Sequence, residues 1–416
     1  MILIKNIKEL IGIKQKPISK ILGKDMSILN TLKDAFIFIE NGKISDFGCM
    51  SESKHIYILK NNKEIKQIDA AGKMVFPCFC DSHTHIVYAG SREFDFIDKI
   101  KGLSYEEIAK RGGGILNSAK KLQGCTEQEL VEQALLRLDE MKSFGTGAVE
   151  IKSGYGLSLE SELKILRVIK KLKKLSPLTI KSTFLGAHAI PAKFKNAPEK
   201  YIDLIINKML PVIAEEKLAD YIDVFCDKGF FSVKDTERIL SAGQKYNLTP
   251  KIHANELGYT GGVQVGVKHK ALSVDHLEYT GEEEIKCLLK SETMPTLLPG
   301  TSFFLGLPYA PARKMIDAGL PVALASDFNP GSSPSENMQF VISLGCIKYK
   351  MTPEEAINAA TINSAYAMGV EKELGGIAVG KKANIFITKP IPSYQYFPYS
   401  FGSNKVEMVI LNGKIQ

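Results

Sequence analysis

In Val75-Phe76-Pro77-Cys78-Phe79-Cys80-Asp81-Ser82-His83-Thr84-His85 an apolar run ends in two imidazoles one residue apart. In extended chain, residues i and i+2 face the same side, so His83 and His85 can converge on one ion. An H-x-H pair alone is a weak signal. Its weight depends on whether such runs, with polar residues just after them, recur along the chain.

They recur. Residues 75–80, 148–152, 180–185, 221–225, 250–254, 272–275, 294–298 and 322–326 are short runs rich in Val, Ile, Leu and Ala, and helical patterns such as 158–174, 233–246 and 311–318 lie between them. Strands alternating with helices imply a parallel sheet, and eight such units imply a closed (β/α)8 barrel of the α/β class. An open doubly wound sheet explains less, since no G-x-G-x-x-G follows the first strand. The ends differ. Residues 35–40 alternate apolar and polar before Asn41-Gly42, and 383–387 and 406–411 are β-like, the latter before Asn412-Gly413; such dipeptides mark hairpins. The expectation is a distorted TIM barrel over 76–369, with 1–75 and 370–416 pairing into one small β-sandwich-like module.

Polar residues cluster after the barrel runs, on the rim where such folds build active sites. Of the seven histidines, His83, His85, His188, His253 and His276 sit at or just past a predicted strand end, whereas His55 and His269 do not. A lone histidine is usually structural; five on one rim are not explained that way. His253-Ala254-Asn255-Glu256 follows the fifth strand, His276 the sixth, and Asp327 the eighth. Three imidazoles and one carboxylate suit Zn²⁺ or Fe²⁺ with a position left for water. Such an ion lowers the water's pKa to roughly 7, making hydroxide available at neutral pH.

Composition narrows the class. Hydrophobic residues make up 44% and charged residues 24% of the 416, an ordinary globular balance. The net charge of +8 is spread among mixed charges. The densest lysine run, 170–174, has no interleaved aromatics and reads as a solvated helix face, not a nucleic-acid patch. A mild positive field suits an anionic small substrate. Seven cysteines without framework spacing argue for reduced thiols and a cytoplasmic protein. No signal-peptide core is seen, nor the roughly 18 apolar residues of a membrane helix.

At this point the residues resemble the amidohydrolase superfamily, which has H-x-H on strand one, His on strands five and six, and Asp on strand eight. Phe76 to Phe96 (FPCFCDSHTHIVYAGSREFDF), Arg111 to Ile115 (RGGGI), Glu150 to Leu157 (EIKSGYGL), Thr183 to Pro191 (TFLGAHAIP) and Asp327 to Ser333 (DFNPGSS) are similar to the imidazolonepropionase family. The likeness runs from about residue 35 to the C-terminus and is dense at every rim loop. It implies hydrolytic opening of 4-imidazolone-5-propanoate to N-formimidoyl-L-glutamate in histidine degradation, one Zn²⁺ or Fe²⁺/Fe³⁺ per chain, and a homodimer. The metal ligands it implies are His83, His85, His253 and Asp327. The substrate contacts it implies are Arg92, Tyr155, His188, Glu256, Asn329, Gly331 and Ser332. Glu256 is then the proton shuttle; a sixth-strand histidine of this superfamily either binds metal or polarises the substrate carbonyl, and with four ligands already present the second role is preferred for His276. The substrate carries a propionate, for which a guanidinium is the best fork; Arg92 would otherwise read as a surface arginine.

The chain departs from the family pattern at Cys78, Cys80, Ser82, Asp95 and Asn255, none of which removes a ligand. Cys78 and Cys80 read as buried small apolar groups, not sulfur ligands. Lys152 follows the second strand, whereas the carbamylated lysine of two-metal relatives sits on the fourth, so one metal is expected. Gly154-Tyr155-Gly156 lacks the Lys-Ser/Thr of a phosphate loop. Gly112-Gly113-Gly114 reads as a tight turn or as a lid hinge, the turn being the simpler. The rival enzyme is a deaminase of the same superfamily, acting on an amidine or nucleobase ring, which shares H-x-x-E after the fifth strand. A non-enzymatic scaffold should lack a ligand, and none is missing.

Overall fold

Pro77 and Cys78 divide the apolar run quoted above between two sheets. In the computed structural model, which describes all residues except 15–17, 62–63, 104–106, 108–110 and 112, Met74–Pro77 pairs antiparallel with Ile385–Thr388. The backbone N–H of Cys78 still donates to Asn384, at 2.9 Å, while that of Phe79 donates to Gly145 at the barrel. The first barrel strand is therefore Phe79–Thr84, four residues beyond the 75–80 expected from hydrophobicity. Both strands are wholly buried, so the apolar run shows no break where the chain changes sheet.

The barrel continues with Thr146–Lys152, Thr179–Ala187, Tyr221–Cys226, Thr249–Ala254, Ser273–His276, Met294–Leu297 and Ala323–Leu324. All neighbours along this order pair parallel. The last strand reaches the first through Asp327 N–H to His83 O at 3.0 Å and His85 N–H to Phe328 O at 2.9 Å. The seam of the barrel thus runs between two candidate metal-site segments.

Both termini contribute to one mixed sheet. Thr31–Glu40 and Lys43–Cys49 form the Asn41-Gly42 hairpin, with positive φ at both turn residues as a primed turn requires. Val406–Leu411 and Lys414–Ile415 form the second hairpin. Met74–Pro77 joins the two ends.

The outer helices follow their sequence periods. Leu159–Leu175 buries Leu163, Ile165, Leu166, Val168, Ile169 and Leu172, each worth roughly 1.5–3 kcal/mol relative to exposure, and exposes Lys170, Lys171, Lys173 and Lys174. The lysine run is the solvated face it was expected to be. Ser158 caps the helix and Ser232 forms a capping box at the start of Val233–Gln244. Among the described residues, no helix is long and apolar enough to cross a membrane. Gly112 lies outside the described residues; Gly113 caps and Gly114, at φ 78°, opens the helix Gly114–Gly124.

Candidate active site

His83, His85 and His253 arrive at one point because strand pleating turns His83 inward and the chain beyond Thr84 carries His85 across the rim to meet them. Their ring nitrogens lie within 4.8 Å of one another. Asp327 Oδ1 stands 3.4 Å from His83 Nε2 and 3.5 Å from His85 Nε2, too far apart for good hydrogen bonds. Atoms about 2.1 Å from a tetrahedral Zn²⁺ are roughly 3.4 Å from each other. His83 Nε2 and His253 Nε2 are buried without a hydrogen-bond partner, a state native proteins avoid unless an ion or water completes it. The donor set fits a metal ion.

The opposite ring nitrogens face carboxylates. His83 Nδ1 lies at hydrogen-bonding distance, 2.6 Å, from Asp275 Oδ2, and His253 Nδ1 lies 3.0 Å from Asp223 Oδ2 without hydrogen-bond alignment. Carboxylates behind ligating imidazoles fix tautomer and ring orientation. Lys152 bridges them: its Nζ is 2.8 Å from Asp223, 3.5 Å from Asp275 and 2.7 Å from Glu150. Burial disfavours the ammonium, yet Asp223, Glu150 and Asp275 together hold its pKa above the ordinary value. An amine so paired is not free to form a carbamate. Lys251 pairs with Glu150 below.

Burial pushes His83 and His85 well below the usual histidine range, and Lys152 for the first and His188 for the second act in the same direction. Neutral imidazoles keep the lone pairs a metal needs. His276 is different. Burial lowers its pKa, but Glu256 and Glu278, 3.7 and 3.8 Å from Nδ1, outweigh that and raise it. A protonated ring donates hydrogen bonds and binds no metal. Its φ of 84° and the 52° of Asp327 lie in the left-handed region, which His and Asp enter more readily than most non-glycine residues.

Above the cluster opens a cavity of about 370 Å³. Arg92, Tyr155, His188, Glu256, Asn329, Gly331 and Ser332 all line it, as do His85, His253, His276 and Asp327, while His83 lies wholly buried beneath. Arg92 Nε donates to Ser118 Oγ at 2.9 Å, leaving Nη2 buried and unpaired. Asn329 Oδ1 accepts from Gly331 and Ser332 N–H, and its Nδ2 donates to the carbonyl of Asp327 at 2.6 Å. Its amide therefore shapes the loop. Ser332 Oγ accepts from Asn329 at 2.7 Å.

His188 stacks on His85, with ring centres 5.3 Å apart. Burial lowers its pKa to about 3, so Nδ1–H donates to Gly154 O, 3.1 Å away, and Nε2 is left as an acceptor. Glu162 holds the Tyr155 loop, accepting the N–H groups of Gly154, Gly156 and Leu157 at 2.7–3.0 Å. On the fifth-strand loop, Asp227 Oδ2 accepts the Glu256 N–H at 2.7 Å. Asn255 donates Nδ2–H to Tyr279 O, a bond an aspartate could not make. Cys78 and Cys80 are buried, with thiol pKa values raised by that burial, and take no part in the cluster.

Sequence reasoning passed over Asp223, Asp275, Lys251, Glu162, Phe225 and Lys99. Three of these, Asp223, Lys251 and Asp275, are buried charged side chains in barrel strands. A charge embedded in an apolar strand run is a readable sign of a buried network. Glu162, Lys99 and Phe225 carried no such mark.

Residues 74–416 match the amidohydrolase family. A protein of Christiangramia forsetii named imidazolonepropionase is 58% identical over 100% of this chain and 99% of its own. Another of that name, from Alkaliphilus oremlandii, is 46% identical over 99% and 97%. Among solved structures, a triazine hydrolase variant superposes with TM-score 0.74 at 16% identity, covering 100% of this chain and 94% of its own. Escherichia coli guanine deaminase gives 0.71 at 14%, covering 100% and 99%. An adenosine deaminase from Xanthomonas campestris with bound zinc gives 0.69 at 14%, covering 100% and 92%. These structures share the fold.

Proposed function

The chain belongs to the amidohydrolase family and, within it, to the imidazolonepropionases, and from that premise we propose how this hydrolase of histidine degradation works. The substrate is 4-imidazolone-5-propanoate and the product N-formimidoyl-L-glutamate. Water adds to the ring carbonyl carbon, the bond from that carbon to the ring nitrogen breaks, and the nitrogen leaves with a proton. The observation that carries this reading is the unpaired, buried guanidinium edge of Arg92 in the same cavity as the histidine cluster. Hydrolysis alone needs no such group; a substrate carboxylate does.

His83, His85, His253 and Asp327 would hold one Zn²⁺ or iron ion. Bound there, the ion supplies Lewis acidity and makes hydroxide available near neutral pH. Glu256 takes the proton from the attacking water and delivers it to the departing nitrogen. Its burial, opposed by His276, raises the carboxyl pKa above the usual glutamate range, where proton uptake and release both suit neutral pH. His276, held protonated by Glu256 and Glu278, donates to the carbonyl oxygen as it gains charge. Arg92 forks the propionate, and His188 Nε2 accepts a ring N–H.

The test is to add 4-imidazolone-5-propanoate and follow loss of its ultraviolet absorbance while measuring ammonia. Ring opening without ammonia supports the reading. Ammonia release would favour the deaminase, and no turnover would overturn both.

A further inference from the structure

Arg92 has company in the cavity. Lys99 also lines it, and the two stand at opposite ends of one short helix: Arg92 caps Glu93–Ile100 and Lys99 lies in its last turn. Seven residues make nearly two turns, so both side chains leave the same face, with backbones roughly 10 Å apart along the axis. Helical side chains tilt toward the N-terminus, which carries the Lys99 ammonium back toward the guanidinium.

The two cations share only one nearby carboxylate among the described residues, and it is at hydrogen-bonding distance from neither. Among the described residues no carboxylate comes within 4 Å of Lys99. Among the described residues the one carboxylate within 4 Å of Arg92 is Asp95, 3.8 Å from Nε, whose Oδ2 also accepts the Gly114 N–H. The arginine side chain is only 10% exposed. Burial and the charge of Arg92 both press the Lys99 pKa down, and Asp95 only partly opposes them. Two half-desolvated cations on one wall repel each other unless an anion lies between them. Apolar Ile115 and Leu305 border the same space and limit access of water.

We infer that Lys99 is the second cation of the carboxylate subsite, so that the substrate's propionate sits between its ammonium and the Arg92 fork. This rests on the proposed reaction. The guanidinium fixes the orientation of the carboxylate plane, and the ammonium adds a point charge that draws the anion in. Side chains ending in a neutral group, or too short to reach this end, are then poor substrates.

The experiment uses metal-loaded enzyme. Lys99→Met keeps the stem and removes the charge. KM for 4-imidazolone-5-propanoate should rise about 10- to 100-fold, with kcat within roughly twofold. Lys99→Arg should restore most of the affinity. Added salt should raise KM more steeply for the parent than for Lys99→Met, because screening acts on the charge that the variant lacks. An unchanged KM in Lys99→Met, or a loss confined to kcat, would overturn the inference while leaving the proposed reaction intact. Absence of turnover by the parent enzyme would instead remove the reaction itself.

Discussion

The guanidinium of Arg92 lies so close to Gly331 that a Cβ added at Gly331 would come within 2.0 Å of Nη1. Gly331 is not in the left-handed region, so alanine is admissible to the backbone and the conflict falls on the far end of a flexible side chain. Gly331→Ala should therefore displace the fork without unfolding the protein. KM should rise about tenfold or more, with the melting temperature nearly unchanged. Arg92→Lys, which keeps the charge and loses the fork, should be impaired alongside it. A KM within twofold of the parent in Gly331→Ala would show that the guanidinium position is not what holds the substrate.

Glu256→Gln should retain metal and lose about 10² to 10⁴ in kcat. The pH profile carries a second readout. The carboxyl must be ionised to accept a proton, and burial raises its pKa. The acidic limb of kcat/KM should therefore lie above the ordinary glutamate range near 4.3, with activity lost as pH falls through it. Near-normal kcat in the variant would move the role to another group.

How far the sequence reached depends on what kind of information each residue carries. His83, His85 and His253, the group that could hold a metal ion, were legible because such a group needs particular atoms at strand ends, and strand ends show in hydrophobicity. The first strand was misplaced because Phe76 and Phe79 are equally buried on either side of the change of sheet; only backbone pairing distinguishes them. Lys99 and Glu162 were invisible for another reason. A lysine in the last turn of a short helix and a glutamate in a helix's first turn read as ordinary surface residues until tertiary packing turns them toward a cavity or a loop.

His276→Ala tests the division between ligand and proton donor. The ring is raised in pKa by Glu256 and Glu278 against its burial, which suits donation. The variant should bind metal as the parent does and lose most turnover, on the order of 10² or more by analogy with removing one transition-state donor. Loss of the metal in His276→Ala, measured by elemental analysis after dialysis, would make His276 a ligand.

Lys152→Met examines the charge network beneath the metal site. Lys152 and Lys251 face Glu150, Asp223 and Asp275, all fully buried. Removing one ammonium leaves three carboxylates with a single cation, and breaking a buried pair typically costs about 3–5 kcal/mol. Because the folded-state pKa of Lys152 is raised, its contribution is complete below the unfolded lysine value near 10.4 and fades only as pH rises through the folded value. The loss should thus be constant across neutral pH. Asp275 and Asp223 would then face His83 and His253 without their shared counter-charge, and a bound cation would offset part of the excess negative charge. Denaturant unfolding of metal-free and metal-loaded protein should show a larger stabilisation by metal in Lys152→Met than in the parent. Asp275→Asn should act in the opposite sense, releasing the His83 ring and weakening metal binding about 10- to 100-fold in a chelator competition. If Lys152→Met unfolded at the parent's denaturant midpoint in both states, the network would be electrostatically idle, and Lys152 would be filling space.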